Sequence, residues 1–457
     1  MKKYNILFLT LLLLQWSFIN AQNNFSSPIL ESYIELGIKN NLGAKRENMS
    51  LKQAHEKLEQ AKALFYPNVS LNGSYSFAKG GRKIDIPTGD LLNPVYNYLN
   101  NLDGGNKFPQ ISNTSEALLP NNYHDSRISG VFNLLNTDLY YNYQAQKKYI
   151  SIEKAKEEAY INVLKQKISV AYYTYLQSKE LLEILSLNKR TLKELKRVNE
   201  KLYNNGLRTK DVLYDSDYEL NLIESKITEA HKNCILSQAY FNYLLDRNDD
   251  ETIEIDSALL QLNISNWKNV IENNEYTIAN RAELQQLSSN IDLKETLLSL
   301  EKKSLWVPKI TLANNIGYQG FKYKFNHKQF FDYAQINFQW TLFSGGSKKS
   351  KIRSAKLEYA MAQNKYIDIK KQLELEKTNA IQEYNTAMQN YKTKESALYS
   401  IHESFSIAQK KYEQNQIIWL ELIKKQNQFL SAQLELSLMK YSVIISYVNL
   451  QKTLAKL

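Results

Sequence analysis

Few side chains in this sequence of 457 residues stand at spacings that chemistry requires. His231 and Cys234 lie three apart, on one face of any helix that carries them. An imidazole and a thiolate there can bind a soft metal, but no third ligand follows at a spacing that completes a site. Gly345 and Gly346 before Lys348, Lys349 and Ser350 have the closing residues of a phosphate-binding loop without its upstream glycine. Their simpler role is to turn a strand into a helix capped by Ser347. His55, His124, His327 and His402 are isolated from one another, and Gly80 and Gly81 belong to a loop. No nucleophile, base and orienting residue fall together, so the chain reads as neither an enzyme nor a metal or cofactor protein.

What the sequence does specify is a set of elements. From Tyr333 to Gly346, Ala334, Ile336, Phe338, Trp340 and Leu342 alternate with Gln335, Asn337, Gln339 and Thr341. One face of such a strand is apolar and the other polar without charge, as in a wall between lipid and water or a half-buried soluble sheet. Val69, Leu71, Gly73, Tyr75 and Phe77 alternate with serines and Asn72 in the same way, and so do Ile128, Gly130, Phe132 and Leu134. The candidate lipid-facing set is therefore Val69, Leu71, Tyr75, Phe77, Ile128, Phe132, Ile336, Phe338 and Trp340.

Composition narrows the class. Only 14 glycines and 7 prolines interrupt the chain, which predicts long helices. The formal charge of +11 comes from lysines spread among glutamates, and export argues against a nucleic-acid partner. The 32 tyrosines suit wet helix interfaces and the interfacial belt of a barrel. Lys2 and Lys3, the apolar Ile6 to Leu14 and the small residue Ala21 predict a cleaved signal peptide over 1–21. No other run approaches the ~18 apolar residues a membrane helix needs. With Cys234 as the only cysteine, neither a lipid-bearing amino-terminal cysteine nor an intrachain disulfide is expected.

The order of elements repeats. Repeat 1, 22–250, holds a helix from Ser27 to Leu64, a β-hairpin over 67–136, a long helix over 138–203 and a return helix over 211–245. The stretch from Lys79 to Asp125 inside the hairpin reads as a long loop. Repeat 2, 251–457, holds a helix over 277–305, a hairpin over 309–342, a long helix over 347–414 and a return helix over 418–455. Each long helix would extend roughly 100 Å. Pro67 and Pro308 are 241 apart, Tyr203 and Tyr412 209 apart, and the difference of 32 is the longer first loop. Residues 252–275 receive no assignment.

Four strands cannot close a barrel, whose smallest examples have about eight. Open edges in lipid leave backbone groups unsatisfied, so strands must be pooled between copies. Three chains supply twelve strands and a lumen, although counting also leaves a dimer or tetramer open. The expected fold class is an α+β membrane protein: a trimeric twelve-stranded β-barrel continued by an α-helical coiled-coil barrel, from two internal repeats.

At this point the chain resembles the TolC-type outer membrane efflux proteins over nearly all of its mature length. The resemblance is carried by AKALFYPNVSLNGSYSF at 61–77, YNNGLRTKDVLYDSDYEL at 203–220, NRAELQQL at 280–287 and WTLFSGGSKKSKIRSAK at 340–356. It implies a homotrimer in the cell outer membrane with its helical barrel in the periplasm. The implied role is the passive exit duct of a tripartite efflux or type I secretion system, joined through a periplasmic adaptor to an inner membrane transporter. It places the turns at 204–210 and 413–419 at the periplasmic tip, where the adaptor docks and the channel closes. Gly206, Leu207, Thr209, Asp211, Tyr412, Asn415 and Glu421 are the residues so implicated. Asn415 stands where the family has glycine, and Lys424 and Lys425 follow Glu421, which argues against a strongly cation-selective gate. The rival reading is an exported soluble coiled-coil adaptor or scaffold.

Overall fold

The computed structural model describes residues 27–256, 264 and 277–456. The expected signal peptide and most of 252–275 lie outside the described residues. In chain order the elements are α1 (Pro28–Asn40), α2 (Leu42–Ala63), β1 (Asn68–Ser76), β2 (Lys83–Ile86), α3 (Thr88–Asp103), β3 (Thr114–Ala117), β4 (Tyr123–Leu135), α4 (Thr137–Asn204) and α5 (Asp211–Leu244). There follow α6 (Ala282–Lys303), β5 (Lys309–Phe321), β6 (Phe330–Gln339), α7 (Ser347–Glu413) and α8 (Trp419–Thr453). The described residues divide into two compact units, one within 1–54, 149–292 and 360–457, the other within 55–148 and 293–359.

The first unit is helical. Its long helices pack through buried tyrosine rings whose hydroxyls find partners in backbone or in polar side chains. Tyr33 meets Phe241 edge-on at 5.1 Å, and Tyr172 lies 5.7 Å from Phe241. Tyr33 Oη accepts the Glu254 N–H at 2.9 Å, while Tyr172 Oη donates to the Glu254 carbonyl and accepts the Asp256 N–H, each at 3.2 Å. Burial raises the phenols of Tyr173 and Tyr441 well above their ordinary range, Tyr441 also facing the Glu180 carboxylate. At the start of α6, Arg281 is only 3% exposed and donates to Glu283, to Glu376 and to the Thr453 carbonyl. Burial would raise both carboxyls, but Arg281 beside Glu283, and Lys452 with Arg281 beside Glu376, hold them below the usual range.

The second unit carries two antiparallel sheets, one of four strands in the order β1-β4-β5-β6 and one of two, β2-β3. Its central pairing, β4 with β5, joins strands far apart in sequence, Ile128 opposite Ile316 and Phe132 opposite Leu312. The hairpin partners pair as well, Leu71 opposite Ile128 and Leu312 opposite Ile336.

Three expectations change. The single helix over 27–64 is broken at Asn41, whose ψ of 125° ends α1. Its Oδ1 accepts the Gly43 and Ala44 N–H groups, capping α2, while its Nδ2 donates to the Leu244 carbonyl. The stretch 79–125 is not a structureless loop but holds α3 and the β2-β3 hairpin. Asparagines that read as loop formers clamp it: Asn93 and Asn100 each exchange two hydrogen bonds with the backbone of Ile111 and Phe108, and Asn113 accepts from Gly89 and Asp90. Ser347 is the first residue of α7 rather than its cap, and the Ser344 hydroxyl accepts the Lys348 N–H instead. Gly345 and Gly346, at φ 57° and 84°, make the turn.

Candidate functional site

Two regions carry the expected site residues. In the four-stranded sheet the register puts Val69, Leu71 and Tyr75 of β1 on the face of Ile128 and Phe132 in β4 and Ile336 and Phe338 in β6. Leu71 is 82% exposed, Val69 and Ile336 both 67%, so this apolar face is uncovered within one chain. Phe77 lies just past β1, and Trp340 just past β6, where its indole donates to the Leu305 carbonyl at 3.3 Å. The other face is polar and internally bonded. Asn72 donates to Ser129, Ser129 to Asn315, and Tyr333 to Gln335. Both outer strands, β1 and β6, present one unpaired edge in the single chain.

The second region is formed by the two turns at the far ends of the long helices in the helical unit. The turns have the same geometry. Gly206 N–H donates to the Tyr203 carbonyl and Leu207 N–H to Leu202; Asn415 N–H donates to Tyr412 and Gln416 N–H to Lys411. Both are Schellman closures that need a left-handed residue, met by Gly206 at φ 72° and by Asn415 at φ 60°. Asparagine tolerates that conformation, so the missing second glycine changes no backbone path. Leu207 is exposed. Thr209 donates to the Asp211 carboxylate, and this with backbone N–H groups at the start of α5 holds the Asp211 carboxyl below its usual range. Glu421 is exposed in the first turn of α8, where the helix dipole favours an anion. Asp211 is the first residue of its helix and Glu421 the third, so the two are not equivalent in position.

Tyr412 is fully buried and tethers the turns. Its hydroxyl donates to Asn199 Oδ1 at 2.5 Å, and Asn199 Nδ2 donates to Ser216 Oγ at 2.8 Å. The Arg208 guanidinium lies 5.1 Å from the Tyr412 ring centroid and donates to the Ile417 carbonyl at 3.0 Å. Burial raises the Tyr412 phenol, with Arg208 opposing. Around this cluster pack Leu192 and Leu195 of α4, Val212 of α5, Phe405 of α7, and Trp419 and Leu422 of α8. Sequence alone marks Arg208 and Ser216 only as members of the stretch 203–220 and carries no signal for Asn199.

His231 and Cys234 gain no third ligand, for no group of His, Cys, Asp or Glu among the described residues could hold a metal. No described helix is long and apolar enough to cross a membrane.

Paired long helices, two closed turns and a sheet with one apolar face make up a fold that recurs in solved outer membrane channels. The structure matches the CmeC outer membrane channel of Campylobacter jejuni with a TM-score of 0.73 at 16% identity, covering 94% of this chain and 86% of that one. It matches the open MtrE outer membrane channel of Neisseria gonorrhoeae at 0.74 and 12% identity, covering 93% and 89%. It matches CusC, which forms a transmembrane channel, at 0.77 and 13% identity, covering 94% and 92%. At these identities the likeness is one of fold. In sequence, residues 275–456 match the outer membrane efflux protein family, and the fold of the chain is of the TolC type. No curated protein matches it in sequence.

Proposed function

We propose that the chain is one subunit of an outer membrane efflux channel, a passive exit duct through which solutes leave after delivery by a periplasmic adaptor and an inner membrane transporter. The observation that carries this reading is the sheet: an exposed apolar face, a bonded polar face and an unpaired strand at each side. Such a sheet is unstable alone in lipid or water, but β6 of one copy can pair with β1 of the next. Three copies close a twelve-stranded barrel, apolar face to lipid and polar face to water, continued by a periplasmic barrel of the long helices. The two-repeat organisation, with boundaries at 22–250 and 251–457, belongs to the same proposal. The family match over 275–456 favours the channel over a soluble adaptor.

The turns at Gly206 and Asn415 form the periplasmic tip. There the Tyr412, Asn199 and Arg208 contacts keep the helix pairs together, and the exposed Leu207 and Glu421 are offered to the adaptor. Energy for transport comes from the transporter. The test is the state of the mature protein: outer membrane fractions should contain a heat-modifiable trimer that needs detergent to stay in solution. A water-soluble monomer would overturn the reading.

A further inference from the structure

We infer that the wall of the sheet barrel is blind to the sign of charge, so that it admits neutral and zwitterionic polar solutes and ions of either sign alike. This rests on the channel reading, which makes the polar face of the sheet the lumen. On that face the four strands carry three charged side chains, Asp125, Arg127 and Lys309. Each is cancelled by an opposite charge. Arg127 lies 3.5 Å from Asp125, and Lys309 lies 2.5 Å from Asp138 at the start of α4.

Between these pairs the face carries amides and hydroxyls, interrupted by uncharged Val131, Ala313 and Phe331, and several of the polar groups bond one another. Asn72, Ser129 and Asn315 form a ladder across β1, β4 and β5, and Gln335 bridges Tyr333 and Asn337 along β6. Gly317 is opposite Arg127, and a Cβ there would lie 2.6 Å from the Arg127 Cα and 2.7 Å from its Cβ. The glycine therefore lets the backbone approach closely where the one arginine of the face sits. Threefold repetition multiplies paired charges and dipoles but no net charge. An unpaired ring of charge would bias ions within a Debye length of about 10 Å at 0.1 M salt; this wall has none to project.

The purified trimer, reconstituted in planar bilayers across a KCl gradient, tests the inference. The expected reversal potential is near that set by the free mobilities of the two ions. Gln335→Glu should shift it several-fold in permeability ratio toward cations and Gln335→Lys toward anions. A wild-type preference for one sign that disappears in Glu421→Gln belongs to the tip and leaves the wall neutral, as inferred. A strong preference that survives Glu421→Gln overturns the inference, as does failure of both Gln335 variants to move the potential. A correctly inserted trimer with no conductance at all overturns the channel reading itself, and this inference with it.

Discussion

Replacing Tyr412 with Phe tests the tip with a single oxygen. The ring, its 5.9 Å approach to Trp419 and its stacking under Arg208 are kept, while the hydroxyl that reaches Asn199 is lost. Asn199 is fully buried and then has an Oδ1 with no donor. A buried acceptor left unsatisfied costs about 1–3 kcal/mol, more than the net worth of the bond while it was made. On the proposed reading of these turns as the tip where the channel closes, that cost falls on the closed arrangement, because water can reach Asn199 once the helix pairs separate. The same 1–3 kcal/mol corresponds to a shift of roughly 5- to 150-fold in the ratio of open to closed tips per subunit. Single-channel recording should show longer or more frequent openings, and amide exchange over residues 199–216 should quicken while the sheet unit is unaffected. A folded, inserted Tyr412→Phe trimer with wild-type openings and wild-type exchange would refute the idea that this cluster holds the tip shut.

Two further outcomes follow from the sheet and from the helical unit. Leu71→Arg puts a cation on the exposed apolar face and should cost roughly 2–4 kcal/mol near the bilayer midplane, whereas Ser70→Arg, on the opposite face, should still assemble; trimer yield on unheated gels separates them. The Glu283 and Glu376 carboxyls are held below their ordinary value of 4.5 in the folded protein. Their contribution to stability is thus present above that value and is lost as pH falls through the lowered folded one. Melting of the helical unit should decline below about pH 4.5 in the wild type and less steeply in Glu376→Gln, with equal declines counting against the Arg281 network.

The part of this protein legible in sequence is the part that repeats locally. Alternation of period two in 69–77 and 334–342, and long runs without glycine or proline, announce strands and helices because each depends on residues within a few positions of one another. The same signals carry the expectations of an internal repeat and of partner copies, since counting strands requires no tertiary knowledge. Local reading failed where polar side chains act on distant or unforeseen backbone. Asn41 breaks a helix because it can reach Leu244, and the asparagines of 79–125 fold a segment whose composition alone suggests none.

Tertiary structure decided the rest. Strands β4 and β5 lie far apart in sequence, and only their pairing and the contacts around it show that every charge on the polar face has an opposite beside it. The bond from Tyr412 to Asn199 joins residues 213 apart in sequence. Periodicity sets which face of an element is buried, but pairings over such distances depend on how long helices return beside each other, and no local pattern encodes that.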